Sequence, residues 1–146
     1  MKLVVLGKGG QGVIFFSRMI AQAAIKKGLS VCSTEIKGMA KKGGTVEIQM
    51  KIGEGLCGLV KRGNADMVIL LSNDLIDYAM TFGDRIFSFT EEDIKAALSS
   101  VSMRQVNTFL LGVFVKKTSL FKCEDFSFLD EDNKKSFIKG CEYVQS

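Results

Sequence analysis

Two glycine-rich segments near the start of the chain hold the residues best suited to chemistry. The first, residues 7–12, reads Gly-Lys-Gly-Gly-Gln-Gly and satisfies the G-x-G-x-x-G pattern between an apolar run and a helical pattern. Such a turn presents backbone N–H groups to a phosphate. Its first glycine permits a tight turn, its second a close backbone approach, and its third the packing of helix on strand. The alternative is a purely structural strand-to-helix turn.

The second segment, residues 37–44, contains three glycines and three lysines. Exposed backbone N–H groups and lysine charges suit a polyphosphate or the acidic face of a partner. The alternative is a solvated hairpin loop. The two segments together give the candidate binding residues: Gly7, Gly9, Gly10, Gln11, Gly12, Lys41, Lys42, Gly43 and Gly44.

The absence of histidine excludes several catalytic designs. A Ser-His-Asp or Cys-His nucleophile cannot be built from this chain alone, and imidazole metal ligands are missing. The four cysteines have no C-x-x-C spacing, which argues against a ferredoxin-type iron–sulfur cluster. They are interpreted as small core residues in a reducing compartment. We therefore predict no catalytic residue and no metal ligand on this chain.

Composition indicates a globular protein of one domain, residues 1–146. The net charge of +4 is modest and no aromatic residues alternate with the lysines, so no nucleic-acid partner is expected. The longest apolar stretches fall far short of the ~20 residues that span a bilayer. The apolar run at residues 3–6 ends at once in glycine and lysine, which is typical of a buried strand and not of a signal peptide. The expected location is cytoplasmic, with no membrane contact.

The elements that must position the glycine segments begin with a β-α-β pattern. Residues 3–6 form a continuous apolar run, residues 11–27 are helical in period, and residues 29–36 read as a second strand. Residues 45–52 alternate apolar and polar side chains, which predicts a strand with one wet face, at a sheet edge and open to antiparallel pairing.

Later elements complete an α/β pattern. Further strands are predicted at residues 67–71 and 85–89, and Thr90 begins a helix-start box. Residues 106–117 favour a helix, although their β-branched content leaves a strand open, and a last helix follows Asp130. The predicted fold class is α/β, a three-layer α/β/α arrangement with a mostly parallel sheet and a Rossmann-like first βαβ unit.

Glu35 opens a second interpretation of the first glycine turn. It lies 23 residues beyond Gly12, near the end of the second predicted strand. An acid there would bind the ribose of a dinucleotide in a Rossmann site. An NAD- or nucleotide-binding Rossmann-like domain is therefore the alternative function.

Several motifs together resemble the gamma subunit of 2-oxoacid:ferredoxin oxidoreductases. They are G-K-G-G-Q-G-V at residues 7–13, E-I-K-G-M-A-K-K-G-G at 35–44 and G-N-A-D at 63–66. Asn107, the pair Leu111-Gly112, and Asn133, Phe137 and Gly140 extend the match. Within the group, the G-M-A stretch looks most like the beta subunit of indolepyruvate oxidoreductase. The resemblance covers nearly the whole chain.

The resemblance implies a non-catalytic subunit of an enzyme complex, inactive when isolated. Enzymes of this family oxidatively decarboxylate a 2-oxoacid with coenzyme A, giving acyl-CoA and reduced ferredoxin. It implies thiamine diphosphate and iron–sulfur clusters on partner subunits, and no cofactor tightly bound by this chain. Residues 9–12 and 41–44 are then the expected contacts for the phosphates of coenzyme A or for a partner subunit. A homodimer of the isolated chain is left open.

Overall fold

The computed structural model describes residues 1–37, 44–53 and 57–145, except the side chain of Lys37. The chain separates into two compact units, Met1–Ser88 and Phe89–Ser146. In its described part, the first contains five strands and two helices: β1 Lys2–Lys8, α1 Val13–Lys26, β2 Val31–Lys37, β3 Thr45–Ile52, β4 Met67–Leu70, α2 Ile76–Met80 and β5 Ile86–Ser88.

The five strands form one mixed sheet in the order β2-β3-β1-β4-β5. β1 pairs in parallel with β4, and β4 with β5, whereas β3 is antiparallel to both β1 and β2. The predicted α/β class is confirmed, with four strands in one direction and β3 reversed. β3 was expected at a sheet edge, and that position is wrong, because it lies between β1 and β2.

The sheet of the first unit is covered on both faces. Gly7, on the face of β1 that also carries Leu3 and Val5, lies against Val13 of α1. Val4 and Leu6 on the other face belong to an apolar cluster together with Val60, Ala79 and Phe82. Because both faces of the sheet are covered, β1 and β4 are continuous apolar runs.

The second unit consists of three helices and connecting turns: α3 Glu91–Ser100, α4 Val106–Thr118 and α5 Glu131–Gln145. Thr90 and Asp93 form the capping box at the start of α3, which confirms the predicted helix start. Residues 106–117 are helical, and the middle of α4, residues 108–115, is buried on every side, which is why its sequence has no polar face. Within the described residues, no helix has the length and apolar character needed to cross a membrane.

The cysteines depart from the prediction that all four are core residues. Cys32 on β2 and Cys57 are joined as a disulfide, and Cys57 is exposed. Cys123 and Cys141 are free thiols, of which only Cys141 is buried. Sequence spacing does not reveal either pair, because both depend on contacts formed in the fold.

Candidate functional site

The first glycine turn and Gly44, the described end of the second segment, meet at the edge of the sheet where β1 and β4 end. Because β3 is antiparallel to β1, its first residues lie at this same edge, with Thr45 opposite Lys8 and Val46 opposite Gly7. The N–H of Leu71 donates to the carbonyl of Leu6, which brings the end of β4 alongside. Ligands of open α/β sheets bind at this carboxyl edge.

One backbone hydrogen bond links the two predicted segments directly, and a second lies within the first turn. The N–H of Gly9 donates to the carbonyl of Gly44 at 3.3 Å, and the N–H of Gln11 donates to that of Lys8 at 3.1 Å. Gln11 also accepts from the N–H of Lys8 through Oε1 at 2.7 Å, so its side-chain oxygen stabilises the turn. Lys41, Lys42 and Gly43 lie outside the described residues, and their part in the site stays a prediction.

The glycines of the first turn have different roles from those expected. Gly7 is buried, and a Cβ there would lie 2.7 Å from Val13 Cγ2, so this first glycine permits the close packing of helix on strand. Gly10 and Gly12 have φ values of 85° and 88°, which side chains rarely adopt, so they make the tight turn. Gly9 is exposed, and among the described residues a Cβ there would meet no heavy atom within 4 Å.

The electrostatics of this edge favour an anion at the start of α1. Gly12 caps the helix without a side-chain hydrogen bond, and the first turn carries no acidic residue. The N–H groups of a first helical turn lack intrahelical partners, and the helix dipole adds positive potential there. Lys8 contributes less than its charge suggests, because its ammonium pairs with Asp74. The hydrogen bond from Lys8 lowers the pKa of Asp74.

Glu35 does not lie where a dinucleotide site needs it. β3 separates β2 from β1, whereas the Rossmann arrangement places the two strands side by side. Glu35 pairs with Ile48, which in turn lies opposite Val5. Its strand is therefore two strand spacings, about 9–10 Å, from β1.

A buried polar cluster beside this edge was missed by sequence reasoning. Glu47 and Gln49 of β3 were predicted to be wet, yet they are only 4% and 5% exposed. Glu47 accepts hydrogen bonds from Tyr78 and Gln49, and Gln49 Oε1 accepts from the N–H of Val60 at 2.6 Å. The chain near Val60 covers this face, so the polar side chains are satisfied internally.

Arg62 lies on the solvent side of this cluster and packs on its aromatic rings. Its guanidinium lies 4.8 Å from the ring centroid of Tyr78 and 4.4 Å from that of Phe82. Burial, and then the hydrogen bond to the Glu47 carboxylate, raise the pKa of Tyr78. The hydrogen bond from Tyr78 to Glu47 therefore ties α2 to β3.

The strand order and the glycine turn define this protein as a mixed-sheet α/β protein with an exposed glycine turn at the carboxyl edge of its sheet. The family model described as pyruvate ferredoxin/flavodoxin oxidoreductase matches residues 2–86. The chain belongs to this family.

A relative and two solved structures carry the comparison further. Indolepyruvate oxidoreductase subunit IorB of Archaeoglobus fulgidus is 44% identical over 71 residues, which cover 49% of this chain and 35% of that relative. The match thus spans about a third of the relative's length. A gamma subunit of keto/oxoacid ferredoxin oxidoreductase from Geobacter sulfurreducens superposes with TM-score 0.64 at 21% identity, over 99% of this chain and 98% of that one.

The second solved structure is a larger protein. It is 2-oxoglutarate:ferredoxin oxidoreductase from Magnetococcus marinus, with 2-oxoglutarate, coenzyme A and succinyl-CoA bound. It superposes with TM-score 0.68 at 19% identity, over 99% of this chain but 31% of that chain. At these identities the two structures establish the shared fold, which agrees with the family match.

Proposed function

We propose that this chain is the non-catalytic gamma-type component of a 2-oxoacid:ferredoxin oxidoreductase complex, with residues 1–146 as one gamma-type domain. The complex would convert a 2-oxoacid and coenzyme A into acyl-CoA and reduced ferredoxin. The observation that carries this proposal is the family match over residues 2–86, which includes both glycine segments. Thiamine diphosphate and the iron–sulfur clusters would reside on partner subunits.

The chain's own part is contact and positioning. The sequence contains no histidine, and the Lys8 ammonium at the carboxyl edge is paired with Asp74. The exposed turn at residues 9–12 offers the uncapped start of α1, which suits a phosphate of coenzyme A or a carboxylate of a partner. Lys41 and Lys42 would add charge beside it.

The alternative, an NAD- or nucleotide-binding domain, rests on the G-x-G-x-x-G turn alone. Its ribose-binding acid, Glu35, lies on a strand that β3 separates from β1. Calorimetry decides between the two. Tight NAD binding that Glu35→Ala abolishes would support the alternative and contradict the proposal.

A steric block at Gly9 tests the proposed contact. Because a Cβ at Gly9 meets no heavy atom of the described residues within 4 Å, Gly9→Trp is expected to leave the isolated protein folded. Ser30→Trp, exposed just ahead of β2 at the opposite sheet edge, is the matched control. Each variant is combined with the thiamine-bearing partner isolated from the native source, and complex formation and the KM for coenzyme A are measured.

The two outcomes are distinct. We expect Gly9→Trp, and Lys41→Ala with Lys42→Ala, to prevent assembly or to raise the KM for coenzyme A by about tenfold or more, equivalent to about 1.4 kcal/mol. Ser30→Trp should match the unmodified chain. Normal assembly with an unchanged KM in the Gly9 variant would remove this turn from the site. Failure of the unmodified chain to assemble with any such partner would contradict the proposed function.

A further inference from the structure

Two free thiols lie within reach of each other in the second unit. Sγ of Cys123 and Sγ of Cys141 are 3.1 Å apart, although the residues are 18 positions apart in the sequence. Cys123 belongs to a short 3-10 turn, Cys123–Phe126, and Cys141 to α5. A disulfide has an S–S length of about 2.05 Å, so a small movement of the turn would bring the sulfurs to bonding distance.

The two sulfurs differ in access. Cys123 is half-buried and lines an open cleft of about 560 Å³ together with Lys116, Lys122 and Glu124. Cys141 is 6% exposed and lies 3.7 Å from the carbonyl oxygen of Gly112. Burial, and then the neighbouring Cys123, raise the pKa of Cys141 to about 12. The buried thiol therefore keeps its proton, and Cys123 is the sulfur that a molecule in the cleft can reach.

We propose that Cys123 and Cys141 form a thiol–disulfide exchange site that accepts a small, negatively charged disulfide. Cys123 is the attacking sulfur and Cys141 the resolving sulfur. Two lysines against one glutamate line the cleft, which favours an anionic molecule over a cationic one. The proposal goes beyond the proposed subunit function and does not depend on it.

The exchange balances in two steps. The Cys123 thiolate attacks the small disulfide, forms an S–S bond to one half and releases the other half as a thiolate. The Cys141 thiol then gives its proton to the thiolate already released, and its sulfur attacks Sγ of Cys123, which forms the Cys123–Cys141 bond and releases the second half. The two cysteine protons pass to the released thiolates. The protein is oxidised by two electrons, and the small disulfide is reduced to two thiols.

The test uses the full chain with excess glutathione disulfide, followed by alkylation of remaining thiols and peptide mass mapping. We expect a Cys123–Cys141 cross-link in the unmodified chain. Cys141→Ser should instead retain one glutathione on Cys123, and Cys123→Ser should leave Cys141 unmodified. Peptide mapping separates these products from the Cys32–Cys57 pair without any further substitution.

Charge preference is tested with cystamine, a cationic disulfide, at matched concentration. Glutathione disulfide should react about three- to tenfold faster at low ionic strength, and added salt should reduce the difference. Lys122→Gln, which leaves one lysine against one glutamate in the cleft, should remove the preference while leaving the cross-link able to form. Free thiols at both positions after glutathione treatment, or equal modification of Cys141 in Cys123→Ser, would overturn the exchange site. Equal rates for both probes would overturn its anionic preference.

Discussion

Asp93 shows how one buried carboxylate organises the second unit. It is 1% exposed and accepts hydrogen bonds from Lys117 Nζ at 2.8 and 3.0 Å, from the Tyr143 hydroxyl at 3.0 Å and from the N–H of Thr90 at 3.0 Å. Desolvation, the largest influence, raises its pKa, but the bonds from Lys117, Thr90 and Tyr143 together outweigh it, and the net shift is downward. One side chain thus connects the start of α3 with α4 and α5.

This downward shift predicts a particular acid sensitivity. Asp93 ionises at a lower pH in the folded chain than in the unfolded chain, whose aspartates have a pKa of about 3.9. Its stabilising contribution is therefore complete above that pH and is lost as the pH falls through the folded pKa. Asp93→Asn should lower the free energy of unfolding by about 2 kcal/mol at pH 7, because Lys117 and Tyr143 lose their charged, buried acceptor. Urea denaturation between pH 7 and pH 3 measures the difference.

The control for Asp93→Asn is the same substitution at a solvent-exposed aspartate. Asp132→Asn, exposed in the first turn of α5, should change stability by less than about 0.5 kcal/mol over the same range. The gap between Asp93→Asn and the unmodified chain should narrow as the pH falls. A gap that stays constant would mean that the Asp93 charge contributes nothing to stability.

Residue-scale prediction from sequence succeeded only over short separations. The capping box at Thr90 could be recognised in the sequence because its two residues are three positions apart. The bonds from Lys117 and Tyr143 join residues 24 and 50 positions apart, and no local pattern marks them. Glu47 is a further example. It was expected to face solvent, but it is buried and accepts a hydrogen bond from Tyr78, which no local pattern marks.

At the scale of elements, α4 and α5 cross at two glycines. A Cβ added to Gly112 would lie 2.2 Å from the carbonyl oxygen of Phe137, and one added to Gly140 would lie 2.0 Å from that of Phe109. Both contacts are with backbone, which cannot turn away as a side chain can. The helices therefore approach more closely than any larger residue at these positions would permit.

Gly112→Ala should accordingly destabilise the chain. Alanine gains about 1 kcal/mol in helix propensity over glycine, but separating the helices costs more, and we expect a net loss of about 2–3 kcal/mol in urea denaturation. Glu142→Ala, on the exposed side of α5, is the control and should be neutral within about 0.5 kcal/mol. Equal stability of Gly112→Ala and the unmodified chain would show that the crossing tolerates a methyl group.

The elements themselves were largely predictable, and their arrangement was not. Apolar runs indicated β1 and β4, and helical periodicity indicated α1, because both signals are local. The place of β3 depends on its pairing with β1 on one side and β2 on the other, which its own sequence does not encode. For the candidate site, the first glycine turn was found by its spacing. Its contact with Gly44 was not, because that bond needs the antiparallel register of β3.

At the scale of the whole molecule, the question is whether the two compact units unfold together. The unit Phe89–Ser146 has about 60 residues, a size at which an independent core is marginal. If residues 1–146 are one domain, Gly112→Ala must weaken amide-exchange protection of β4 in the first unit by the same free energy as that of α4, about 2–3 kcal/mol. Hydrogen exchange read by mass spectrometry resolves both segments. Unchanged protection of β4 alongside weakened protection of α4 would instead establish two independently folding domains.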